Sequence, residues 1–152
     1  MTVNSVIAGV AIGVLIGVTS GCASSQLSAD DTTYGAGSGD LAVRGFLAAA
    51  AGRRYTEMAH LFGTSDGPAE KKYGVDEVEQ RMVVLSQLLQ HASFTLREPE
   101  LRVLGPDHQW FVADMVGTRK GSVEVPIVAV RSKNDRWFVE QIDVAPLTRD
   151  LP

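Results

Sequence analysis

The chain has 152 residues, 45% of them hydrophobic and 21% charged, with a formal net charge of −4. That length suits one domain, and ordinary usage of Gly (15) and Pro (6) excludes collagen-like and low-complexity classes. A pI near 5.3 argues against a nucleic-acid binder, whose footprint would be strongly basic. A single cysteine excludes an intramolecular disulfide, and a mean hydropathy of +0.05 is high for a water-soluble domain.

The distribution of charge accounts for that hydropathy. All 32 charged side chains follow residue 21. Before them, Val6 to Val18 reads VIAGVAIGVLIGV. As a helix this run rises only about 20 Å, short of the roughly 30 Å hydrocarbon layer, so it reads as the hydrophobic region of an export signal. Thr19-Ser20-Gly21-Cys22 follows directly. These residues resemble the lipobox of bacterial lipoproteins. The resemblance implies a signal peptide over residues 1–21, cleavage before Cys22, and a thioether-linked diacylglycerol on that cysteine. It places the protein in a bacterial cell envelope, anchored to the inner or the outer membrane. Two or more acyl chains, at about 0.8 kcal/mol per buried methylene, would hold it there stably. The same residues also permit an uncleaved N-terminal anchor with a buried cysteine. Residues 22–39 are polar and Gly/Ser-rich and read as a flexible tether with a reach of roughly 23 Å. Tyr34 is expected to be a solvated linker residue, and the folded domain to occupy residues 40–152.

Within the domain, Asp40 is a plausible N-cap, and Val43, Phe46, Leu47 and Ala50 recur at helical spacing up to Gly52. Tyr55, Met58, Ala59 and Phe62 repeat that spacing in a second, short helix. Residues 63–68 read as a surface loop. The third helix carries its stripe on Val75, Val78, Met82, Leu85, Leu89 and Ala92, and Val84 and Leu88 predict burial on more than one side. After His91 the period switches to two. Strands are predicted around Phe94, over 101–104, 109–117, 122–131 and 136–145, joined by short polar turns that favour hairpins. Pro126 predicts an edge strand or a bulge. The expected fold class is α+β, with three N-terminal helices on one face of a curved antiparallel sheet of about four strands.

That element order, with Val43, Phe46, Leu47 and Ala49 in the first helix and Leu61 and Phe62 ending the second, is similar to the cystatin-like cone of nuclear transport factor and SnoaL-like proteins. The twelve residues 63–74 leave little room for the hairpin that family often places between its second and third helices. SnoaL-like enzymes keep a carboxylate among apolar side chains, where burial raises its pKa and suits it to proton abstraction. The resemblance therefore makes Asp114 and Asp143 the candidate catalytic bases, while exposure on the sheet or pairing with an Arg would make them structural.

Trp110 and Trp137, placed on neighbouring strands, are candidates to line a ligand groove, with Tyr55 and His60 at its mouth. His60, His91 and His108 share no metal-ligand spacing, so neither a metal nor another cofactor is expected. Arg53, Arg54, Lys71 and Lys72 are solvated surface or contacts to anionic headgroups. The function expected from these features is a membrane-anchored, non-enzymatic binding or accessory module whose partner is an envelope protein or a small ligand. The alternatives are a SnoaL-like envelope enzyme and a structural envelope component recruited through a sheet edge near Pro126.

Overall fold

A computed structural model describes residues 33–97, 99 and 105–149. The expected signal peptide, Cys22 and the strand over 101–104 lie outside the described residues. Helix α1 spans Gly39–Ala51. Its N-cap is Ser38, not Asp40: the extended backbone of Ser38 lets its hydroxyl accept the Leu41 N–H at 3.2 Å. Asp40 sits in the first turn instead and pairs with Arg44 at 2.8 Å. At the other end Arg54 N–H donates to Ala49 O and Arg53 N–H to Ala50 O, the double bond of a Schellman cap. The left-handed residue of that cap is Arg53 (φ +55°), one position after the expected Gly52.

Helix α2 (Tyr55–Leu61) follows. The expected surface loop after it is a miniature hairpin, β1 (Gly63–Thr64) with β2 (Gly67–Pro68), and then a single helical turn, α3 (Glu70–Tyr73). Twelve residues suffice because each strand has two residues and the turn only Ser65 and Asp66. Helix α4 runs Val75–Leu88. It buries one stripe, Val78, Met82, Ser86 and Leu89, and leaves Val75 52% and Val84 58% exposed, so the predicted burial on several sides fails. A serine inside the stripe is tolerated because its hydroxyl donates to Ala50 O at 2.8 Å, and Gln90 Nε2 donates to the same carbonyl at 2.8 Å. They add to the Arg53 N–H that this carbonyl already accepts in the cap of α1.

The chain then forms one antiparallel sheet in the order β3 (Ser93–Leu96), β4 (His108–Thr118), β5 (Gly121–Arg131), β6 (Trp137–Ile142). Gly117 is required at the end of β4. It has φ +76°, and a Cβ there would lie 2.6 Å from Ala92 Cβ. Pro126 lies on a central strand. Arg97 N–H donates to Val112 O, so the Val112–Pro126 pair is a non-hydrogen-bonded one and Pro126 turns its backbone toward β6. Its carbonyl accepts Asp143 N–H at 2.9 Å just beyond the last paired residue of β6, so the missing N–H breaks no ladder.

The molecule is thus α+β with a four-stranded antiparallel sheet, but its helices are not all N-terminal. A short helix, α5 (Ala145–Thr148), follows β6 where a longer strand was expected, and its Leu147 is buried in the core. Helix α1 lies on β5 and β6, and α4 packs chiefly over α1 and α2. Phe46, Leu47, Met58, Met82, Phe111, Met115 and Ile127 are fully buried between these layers. The other face of the sheet is not bare, since Val128, Val130 and Phe138 are buried there as well.

The expected tether does not reach Gly39. Ala36 pairs with Trp137 as an extra strand position, and Gly35 N–H donates to His60 O at 2.8 Å. The Arg136 guanidinium donates to Tyr34 O and Gly35 O at 3.0 and 2.7 Å. Tyr34 is no solvated linker residue, because its ring stands edge-on to His60 at 4.8 Å.

Candidate functional site

Strand β4 alternates Phe111, Ala113 and Met115 inward, all fully buried, so Trp110, Val112, Asp114 and Val116 face away from the helices. Asp114 is therefore outside the apolar interior, with 37% of its side chain exposed. Cross-strand pairing sets Thr95 and Glu124 beside it. Arg97 makes a two-pronged contact with Asp114, at 2.8 and 2.6 Å, and also binds Glu124. The hydrogen bonds that Arg97 donates to Asp114 first and Glu124 second hold its pKa above its ordinary value. This is a surface ion triad. Asp114 is 37% exposed and lies outside the apolar interior, so it lacks the burial that a SnoaL-like base requires.

Asp143 fares no better. Glu140 is an unpaired extra residue between Val139 and Gln141, and this bulge puts Gln141 on the face opposite Trp137 and Val139. Asp143 lies past the end of β6, exposed, and its Oδ1 accepts Ala145 N–H at 3.0 Å. Its task is to start α5.

The expected groove is not assembled. Trp110 is on β4 and Trp137 on β6, with β5 between them. Trp110 lies on the face away from α1, whereas Trp137 packs against the core beneath it. Tyr55 packs on the same core from the first turn of α2, and His60 sits at the last turn of that helix against Tyr34. His91 Nδ1 bonds Leu89 O at 2.7 Å, and His108 Nε2 lies 3.2 Å from Glu140 Oε2. Among the described residues no group of three His, Cys, Asp or Glu could hold a metal ion.

What the structure does bring together is a polar end, where the β1–β2 hairpin, the β5–β6 turn and the residues leading into β4 meet. A cleft of about 630 Å³ opens there, lined by Ser65, Asp107, His108, Arg131, Lys133 and Asp135. Arg131 is held between Asp107 at 2.6 Å and Asp135 at 3.3 Å, and the Asp107 hydrogen bond above all raises its pKa. Lys133 Nζ binds Asp66 at 2.6 Å, which lowers the Asp66 pKa and raises that of Lys133. A second groove of about 490 Å³ runs along Thr64 to Tyr73 on the adjoining surface. Lys72 Nζ and the Arg81 guanidinium lie 4.9 and 4.5 Å from the centre of the Tyr73 ring, and Lys72 first and Arg81 second hold its phenol below the ordinary range.

Sequence reasoning passed over this end because its acids and bases lie in three separate segments with no common motif. It also missed Glu70, the one buried carboxylate among the described residues, whose Oε1 has no hydrogen-bond partner. In the tetrad EKKY nothing distinguishes Glu70 from its solvated neighbours; only the hairpin that precedes α3 sets it inward.

No protein-family description matches the chain, and neither a curated protein nor a solved structure does. Among the described residues no helix is long and apolar enough to cross a membrane.

Proposed function

We propose that this protein is a lipid-anchored lipoprotein of a bacterial cell envelope whose cystatin-like α+β domain serves as a non-enzymatic binding or accessory module. The observation that carries the non-enzymatic part is the placement of Asp114 and Asp143. The first is tied to Arg97 on the outer sheet face and the second, exposed beyond β6, accepts the Ala145 N–H, so neither acid faces the apolar interior. The helix-covered side of the sheet presents Phe111, Ala113, Met115, Val125, Ile127 and Val139 instead, none of which can move a proton. The anchor reading is supported by Thr19-Ser20-Gly21-Cys22 after an apolar run. The ordered strap at Tyr34–Ala36 agrees with it, because it leaves a short spacer between Cys22 and the domain.

Crosslinking in the native envelope, followed by mass-spectrometric identification of captured chains, tests the module reading. The expected result is a reproducible partner that is still captured by Asp114→Asn and Asp143→Asn variants. A correctly folded variant with either conservative substitution that fails to complement a deletion strain would instead favour catalysis.

A further inference from the structure

Of the cations at the polar end, several are already matched. Lys133 is paired with Asp66, Arg131 with Asp107 and Asp135, and Arg81 with Glu77 at 2.5 Å. Lys71 and Lys72 are both exposed and make no ion pair with a described residue, though Lys72 Nζ lies 4.9 Å from the centre of the Tyr73 ring. Arg136 spends its guanidinium on two backbone carbonyls, which leave its charge uncompensated. Lys71, Lys72 and Arg136 are thus the cations of this end that no described carboxylate binds, although Glu70 and Asp76 stand near the lysines in the chain.

The chain leaves the domain at this same end. A Cβ at Gly35 would meet the Phe138 ring at 2.9 Å, and a Cβ at Gly63 would meet the same ring at 2.8 Å, so the strap and the β1–β2 hairpin share one side chain. Ser65 O, at the tip of that hairpin, accepts Lys133 N–H at 3.1 Å. Lys71, Lys72 and Tyr73 line the groove that continues from Ser65 and Asp66. The Arg119–Lys120 pair stands beyond the opposite end of β5, about 33 Å away at 3.3 Å per residue, and in a third basic pair, Arg53–Arg54, Arg54 is bound to Glu57. From Cys22 to Tyr34 the chain can span at most roughly 40 Å even when fully drawn out.

From the shared location of chain exit and unmatched lysines, we infer that the hairpin–α3 end docks on the anionic headgroups of the membrane that holds the anchor. The inference rests on the lipoprotein reading and adds an orientation to it: Lys71 and Lys72 face lipid, and the Arg119–Lys120 turn faces away. Lysines near an anionic surface each strengthen such docking by roughly fivefold at low salt, and the effect fades as salt screens it.

The test uses the lipidated full chain in nanodiscs of phosphatidylcholine alone or of phosphatidylcholine with phosphatidylglycerol. Amide hydrogen exchange is read over residues 64–73 and over the distal turn 118–121. The expected result is several-fold slower exchange at 64–73 on the phosphatidylglycerol discs only, lost at high salt and in Lys71→Glu/Lys72→Glu, and retained in Lys71→Arg/Lys72→Arg. The distal turn should exchange equally on both discs. Equal exchange at 64–73 on both lipids, or protection that survives the double charge reversal, overturns the orientation while leaving the anchor intact. A chain that associates with neither disc overturns the anchor and the orientation together.

Discussion

Arg53 occupies a left-handed backbone position that an L side chain adopts at a cost of roughly 1 kcal/mol or more. The Schellman cap of α1 holds it there through Arg53 N–H to Ala50 O and Arg54 N–H to Ala49 O. Arg53→Gly should therefore stabilise the domain by about 0.5–1 kcal/mol, raising Tm in calorimetry. No change, or a loss, would mean that Arg53 makes a compensating contact. Gly63 gives the opposite sign. A Cβ would lie 2.5 Å from Gly67 O and 2.8 Å from Phe138, so Gly63→Ala should destabilise by about 1–3 kcal/mol in urea unfolding. Asp66 supplies a pH marker. Its folded-state pKa lies below the ordinary 3.8 because Lys133 binds the ionised form, so the pair's contribution is complete above the ordinary value. It disappears as pH falls through the lowered pKa. Asp66→Asn should flatten only that acid limb of the stability profile, and an unchanged limb would refute the pairing.

At the scale of elements, the sequence reading and the structure agree where burial follows one period and part where tertiary contacts decide. Helices α1 and α2 were legible because their apolar residues recur at 3.6, and strands β4 and β5 because each is an apolar run bounded by polar turn residues. In α4 the pattern held for Val78, Met82, Leu85 and Leu89, which meet the core, but misled at Val75 and Val84, which are exposed. Position 86 could not have been foreseen, because its partner is Ala50 O, distant in the chain. The bulge at Glu140 was equally hidden, and it puts Gln141 on the face opposite Trp137 and Val139, while the tryptophans are kept apart by the strand between them. Face assignments on a strand do not survive one extra residue, whereas Asp114 fails as a base for another reason, its exposure beside Arg97. The strap is the element with the clearest test. Arg136→Ala removes both bonds to Tyr34 O and Gly35 O, so exchange of the Gly35 amide should quicken at least tenfold while that of the β4–β5 ladder stays unchanged. Uniform acceleration across the sheet would show that the strap is part of the cooperative core.

For the whole molecule, the two faces of the sheet separate stability from surface chemistry. Phe111→Ala, beneath α1, should cost about 3–5 kcal/mol in chemical denaturation, the ordinary penalty for emptying a buried aromatic site. Asp114→Asn, on the far side, should leave Tm nearly unchanged, because an ion pair in water gains little over its solvated partners. If Asp114→Asn proved as damaging as Phe111→Ala, the outer face would be holding the fold together. The central claim is that this domain works at a membrane, held by Cys22 through the residues that precede the strap. Intact-mass analysis of the protein extracted from its native membranes tests it most directly. The account predicts a chain beginning at Cys22, lacking residues 1–21 and heavier than its sequence by a diacylglycerol and any further acyl group. A chain that retains Met1 and carries an unmodified Cys22 would contradict it.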